Sequence, residues 1–182
     1  MEKTMVRKFK WFWPWHDEAE EAWLGEMSKK GYHLSSVGVM GIYKFIVAEP
    51  QDYVYRLDYQ TFPEKDKQEY LQLFRDAGWE HIGEMSAWQY FRKGSKQREP
   101  DEIFTDVESK VAKYKRVLAY LAFFLLIEAI YVVTFAYNIW GDSPYSWWGI
   151  IRAISLLVPL AALFLMYAFV RLILRIRQLR RL

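Results

Sequence analysis

Acid–base or metal chemistry needs His, Asp, Glu or Cys brought together, and this sequence offers one such grouping. His16-Asp17 is followed by Glu20 and Glu21, a spacing that could mimic a metal cluster. The same residues have a plainer reading: Asp17 with Glu20 three residues later resembles a capping box, and acids in a first helical turn answer the helix dipole. Cap and dipole already account for the cluster, so no metal site is expected. His33 and His81, the other histidines, fall early in strand-like runs. There is no cysteine, which removes disulfides, thiolate nucleophiles, Cys-based zinc sites and iron–sulfur clusters. No Ser-His-Asp spacing is interpretable, and Gly38, Gly41 and Gly83 read as strand or turn glycines rather than a phosphate cradle. No catalytic residue and no cofactor is therefore expected.

The unusual feature is aromatic. Phe, Trp and Tyr make up 19% of the chain, and Trp11-Phe12-Trp13-Pro14-Trp15 sets three tryptophans within one short run. In strands, alternation sends neighbours to opposite faces, so helices packed on one face cannot cover all of these rings. Large rings could be filling a small core, or they could line a second surface for an apolar ligand, lipid or partner protein. The candidates for such a surface are Trp11, Trp13, Trp15, Tyr43, Tyr55, Tyr59, Trp88 and Tyr90.

Charge is segregated along the chain. Met1–Ser109 carries 15 Lys and Arg against 20 Asp and Glu, a balance of −5, and Lys110–Leu182 carries 10 against 2, a balance of +8. The acidic portion has no Lys/Arg stripe, which disfavours nucleic acid as a partner. The basic residues instead flank apolar runs. Val117–Trp140 is apolar apart from Glu128 and a few small or aromatic polar groups; as a helix it reaches roughly 36 Å, enough to cross a hydrocarbon core of about 30 Å. Trp147–Val170 is similar, with Arg152 near its start and Pro159 inside, where a kink is expected. Glu128 and Arg152 are the intramembrane polar residues, read either as a functional pair or as a satisfied carboxyl beside a snorkelling arginine.

The short segment 141–146 (Gly-Asp-Ser-Pro-Tyr-Ser) makes the two runs an antiparallel hairpin, and Trp140, Tyr145, Trp147 and Trp148 surround it as an interfacial belt. Lys110, Lys113, Lys115 and Arg116 precede the first run; Arg171, Arg175, Arg177, Arg180 and Arg181 follow the second. The positive-inside rule then predicts a multi-pass protein of the cell membrane with both termini cytoplasmic. The predicted organisation is a cytoplasmic α+β domain at 1–99, an amphipathic stalk helix at 100–116, membrane helices at 117–140 and 147–170 joined by an extracytoplasmic turn at 141–146, and a basic tail at 171–182.

Within the first hundred residues, strand and helix periods alternate. Lys8–Trp13 reads as a strand stopped by Pro14. A helix follows from Asp17, with Ala19, Trp23 and Met27 on its apolar stripe, and ends at Gly31. Tyr32–Val39 and Ile42–Val47 read as strands, then Tyr53–Tyr59; a second helix starts at Thr61-Phe62-Pro63-Glu64 and ends at Gly78. Trp79–Glu84 and Trp88–Lys93 complete the set. At an offset of 47, Trp23 falls on Tyr70, Leu24 on Leu71, Met27 on Phe74, Gly31 on Gly78 and Tyr43 on Tyr90. A duplicated strand–helix–strand–strand unit or two junctions with the same cap chemistry would both give this match. The fold class is α+β: an antiparallel sheet of about six strands with two helices on one face, then a stalk helix and a transmembrane hairpin.

Phe9-Lys10-Trp11-Phe12-Trp13, His16-Asp17, Glu20-Glu21 with Trp23-Leu24, Lys30-Gly31-Tyr32-His33-Leu34, Tyr55-Arg56-Leu57-Asp58-Tyr59 and Gly78-Trp79-Glu80 together resemble an uncharacterised domain-of-unknown-function family. Its members are small bacterial, Firmicute-type, two-helix membrane proteins, often encoded beside PadR-like regulators. The resemblance covers most of Lys8–Lys93 and implies a role in a regulated envelope response; it carries no catalytic residues. The repeated unit is also similar to the GyrI/SOUL-like ligand-binding architecture, at the level of fold alone. The expected function is a non-enzymatic, membrane-anchored sensor or regulatory adaptor, in contact with membrane lipid, whose cytoplasmic domain binds a ligand or protein partner, or which forms a homo-oligomer. The alternative is an accessory subunit packing against a larger membrane transporter.

Overall fold

A computed structural model of the chain describes residues 4–95, 107–139 and 157–181. Two compact units divide it, Met1–Lys113 and Tyr114–Leu182.

The first unit is built from one motif used twice. Strand β1 (Met5–Phe9), helix α1 (Asp17–Lys29), β2 (Tyr32–Val37) and β3 (Ile42–Val47) form a three-stranded antiparallel sheet in the order β1-β3-β2. Strand β4 (Tyr53–Tyr59), helix α2 (Glu64–Asp76), β5 (Glu80–Met85) and β6 (Trp88–Gly94) repeat it in the order β4-β6-β5. The repetition extends to detail. Both helices have 13 residues, and a left-handed glycine follows each, Gly31 at φ 82° and Gly78 at φ 79°. The ladder slips at matching places, between Leu34 and Ser36 and between His81 and Gly83. The six antiparallel strands thus fall into two sheets of three, with β2 lying alongside β5.

The two helices do not share one face. Leu24 and Met27 of α1 pack with Leu34, Tyr43 and Phe45 of the first sheet and with Tyr55, Leu57 and Tyr90 of the second. Phe74 of α2 packs instead on Phe91, the residue after Tyr90, with ring centroids 4.3 Å apart. Neighbours on a strand point to opposite faces, so α1 and α2 lie on opposite sides of the second sheet. That arrangement covers the rings that helices on a single face would leave in water.

Two local expectations are corrected. The first strand ends at Phe9, because Lys10 N–H turns to the Gly41 carbonyl (2.9 Å) and leaves Trp11–Trp15 outside the ladder. Gly41 has φ 74°, and a Cβ there would collide with the Lys10 carbonyl, so a side chain is excluded at this crossing. Helix α1 is preceded by His16 with no side-chain cap; Asp17 is already helical, and its carboxylate and that of Glu20 face inward. The buried stripe of α1 is Asp17, Glu20, Glu21, Leu24, Met27 and Ser28, while Ala19 is exposed.

Helix α3 (Val107–Ile139) runs unbroken through the predicted stalk and first membrane segment; residues 100–106 of that stalk lie outside the described residues. Helix α4 spans Leu157–Leu179. Both are long and apolar enough to cross a membrane, and their large side chains are exposed: Phe123, Leu126, Ile130 and Val133 on α3, and Leu157, Leu160, Leu163 and Met166 on α4. Water would penalise so much apolar surface by about 25 cal/mol per Å², so the chain associates with a membrane. Pro159 stands in the first described turn of α4, and the kink expected from it, like the predicted turn 141–146 and Arg152, falls outside the described residues.

Candidate functional site

A cavity of about 190 Å³ opens in the first unit where four segments meet. Trp11, Phe12, Trp13 and Pro14 form one wall, Asp17 and Glu20 come from the first turn of α1, Met40, Gly41 and Tyr43 from the second hairpin strand and its turn, and Met85, Trp88 and Tyr90 from the matching hairpin of the second repeat. Of the aromatic residues singled out from sequence, Trp11, Trp13, Tyr43, Trp88 and Tyr90 come together here. Trp15 stacks behind Trp13 (5.6 Å, 8°), and Tyr59 meets Trp88 edge-on (5.2 Å, 71°). Tyr55 is a core residue whose hydroxyl accepts from the Leu34 N–H at 3.4 Å.

The polar wall is what sequence reasoning missed. Tyr43 and Tyr90 donate their hydroxyls to the same oxygen of Glu20, Oε1, at 2.7 and 2.9 Å. Among the described residues no donor meets Oε2 and no cation lies within 4 Å of the carboxylate. Glu20 is 7% exposed. Burial holds its carboxyl above the usual range, the two hydroxyls pull the other way, and Asp17 nearby adds to the rise. The same burial, with Glu20 beside them, pushes both tyrosines up.

The neighbouring acids are differently placed. Lys113 Nζ, on α3, donates to Asp17 Oδ2 at 2.5 Å and to the Leu57 carbonyl at 3.2 Å. Glu21 accepts the Leu57 N–H at 2.8 Å and sits 3.4 Å from the Arg56 guanidinium; burial pushes its carboxyl up to about 8 in spite of Lys113 and Arg56. Among the described residues, Lys113 and Arg56 thus stand against Asp17 and Glu21, and neither cation meets Glu20. A signal for this was present: Asp17, Glu20, Glu21, Leu24 and Met27 fall on one helical stripe, so the acids share the face of the buried apolar residues.

A second, more open groove of about 750 Å³ lies where β2 and β5 run side by side, lined by His33, Glu49, Tyr53, Glu80, His81 and Arg92 among others. His33 Nε2 meets the Glu49 carbonyl at 2.8 Å, and His81 Nε2 meets Gln89 Oε1 at 2.9 Å; burial holds the His81 imidazole below its usual pKa. Among the described residues no three His, Asp or Glu side chains are grouped to hold a metal. On α3, Glu128 is half-buried and its Oε2 has no hydrogen-bond partner among the described residues.

Residues 16–126 match the family described as "Protein of unknown function (DUF2812)". The chain belongs to this family. The match starts at His16, after the Trp11–Trp15 run, and reaches into α3, so the family pattern takes in the repeated unit from α1 onward and the start of the first apolar helix. It therefore includes Asp17, Glu20, Tyr43, Trp88, Tyr90 and Lys113 and omits the tryptophan wall. No curated protein and no solved structure is significantly similar to the chain.

Proposed function

We propose that this DUF2812 protein is a membrane-anchored sensor or regulatory adaptor, not an enzyme, that binds a small ligand in the aromatic cavity of its first unit. Both termini lie on the cytoplasmic side of the cell membrane in this reading, which rests on the Lys and Arg flanking the apolar runs. The observation that carries it is the cavity itself: six aromatic side chains and the carboxyls of Asp17 and Glu20 converge from segments far apart in sequence. A route to the membrane is built in. Asp17 lines the cavity and holds Lys113, which stands on the helix that continues as the first apolar segment. A ligand that competes for Asp17 thereby alters what restrains α3. The regulated setting implied by the resemblance to proteins often encoded beside PadR-like regulators belongs to the same reading.

The test is thermal unfolding of the full chain in maltoside micelles with a panel of small neutral, anionic and cationic compounds. A compound that raises Tm in the wild type, and raises it less in Trp88→Ala and Trp11→Ala, supports the site. A panel that shifts none of the three proteins removes it.

The Glu128 oxygen, without a partner among the described residues, favours a second reading, an accessory subunit whose apolar helices pack on a larger membrane protein that supplies a donor. Stoichiometric co-purification of a membrane protein, lost in Glu128→Leu, supports that reading; a homo-oligomer unchanged by the substitution opposes it.

A further inference from the structure

We propose that the occupant of the aromatic cavity is a small organic cation of the alkylammonium class, held by indole faces and by Glu20. The inference rests on the cavity being a ligand site and assigns its chemistry.

Three observations converge on a positive charge. First, the walls are aromatic: Trp11, Trp13, Trp88, Tyr43 and Tyr90 line one space, and ring quadrupoles attract cations within about 6 Å, most strongly when the cation is desolvated. An ammonium ion already uses ring surfaces in this unit: Lys10 Nζ lies 5.1 Å from the ring centre of Phe12, a lining residue, and 4.9 Å from that of Trp23. Second, the charge is incomplete. Lys113 answers Asp17 and Arg56 answers Glu21, while Glu20, in the cavity lining and 7% exposed, has no cation among the described residues. Its two tyrosine bonds occupy one oxygen and leave the other for a ligand. Third, the size is small. About 190 Å³ is below the roughly 300–1,000 Å³ of sites for drug-sized molecules, and suits a trimethylammonium-like group.

An anion would meet Glu20 and Asp17 and be repelled. A neutral apolar molecule would give the ionised Glu20 no counter-charge beyond its two tyrosine hydrogen bonds, which keeps ionisation costly. A cation removes that cost and gains the ring contacts. Ionisation of Glu20 is opposed by burial and by Asp17 on its own helix, and favoured by the hydroxyls that Tyr43 and Tyr90 donate to it; affinity for the cation accordingly rises with pH as Glu20 loses its proton.

The experiment is calorimetric titration of the full chain in maltoside micelles with choline and with 3,3-dimethylbutan-1-ol, its neutral carbon counterpart; tetramethylammonium guards against exclusion on size. Choline or tetramethylammonium should bind at least about tenfold more tightly than the alcohol, the preference expected when cation–π and charge terms act together. Glu20→Gln should cut that preference severalfold, to what the ring contacts alone supply, and Trp88→Leu should weaken the cation severalfold at similar apolar bulk. Near-UV circular dichroism of each variant confirms folding; should Glu20→Gln fail to fold, the wild-type preference and Trp88→Leu still decide. Repeating the titration in phosphatidylglycerol nanodiscs with and without phosphatidylcholine assigns the source: competition by the lipid marks a headgroup, its absence a soluble amine, and either upholds the cation. Equal binding of choline and the alcohol overturns the cation and leaves the ligand site standing, as does binding of only neutral or anionic panel compounds. Failure of every compound overturns both.

Discussion

The two halves of the first unit share a topology and differ in what their helices do. At the 47-residue offset, Asp17, Glu20 and Glu21 of α1 fall on Glu64, Lys67 and Gln68 of α2, while Leu24 and Met27 fall on Leu71 and Phe74. Helix α1 is covered from both sheets, so its polar positions at the first turn are buried. Helix α2 sits on the outer face of one sheet, and Lys67 reaches out to a half-exposed pair with Glu84 at 2.9 Å. The same spacing becomes a charged interior in one repeat and a solvated surface in the other. Location in the packing, not the motif, makes the candidate site.

Three experiments probe that contrast. Lys113→Ala removes the buried ammonium that Asp17 accepts and a counter-charge of Glu21; unfolding by urea, followed by tryptophan emission, should show a loss of about 3–5 kcal/mol. A loss under 1 kcal/mol would mean that the interior of the first repeat is as wet as the surface of the second. The pH profile gives a smaller, graded effect. The Glu21 carboxyl moves from an ordinary 4.5 to about 8 on folding, so the folded state holds a proton that the unfolded chain has released. Its contribution is complete below about 4.5 and is lost as pH climbs through about 8, with a slope of about 1.4 kcal/mol per pH unit. Glu20, also raised, adds in the same direction. Glu21→Gln should reduce the slope by about one proton, and an unchanged slope would contradict its burial. The smallest effect is expected from Lys67→Ala at the position matching Glu20. Its pair with Glu84 is partly exposed, with side chains 25% and 43% accessible, so the cost should stay within about 0–1 kcal/mol.

The sequence by itself determined the local elements. Strand alternation over Tyr53–Tyr59, the glycines closing each helix and the apolar length of the two spans are short-range signals, readable because backbone sterics and the solvent act residue by residue. The 47-residue echo was legible too, down to the stripe positions that recur. Only the tertiary structure decided that α1 and α2 take opposite faces, that Asp17 and Glu20 serve the interior and not the helix cap, and that Trp11–Trp13 leave the strand to wall a cavity. Those outcomes depend on contacts between residues as distant as Glu20 and Tyr90, 70 positions apart. A carboxylate at a first turn satisfies cap and dipole equally well whether a sheet lies over it or water does, so local pattern could not choose between them. Burial chose, and burial is a property of the whole packed unit.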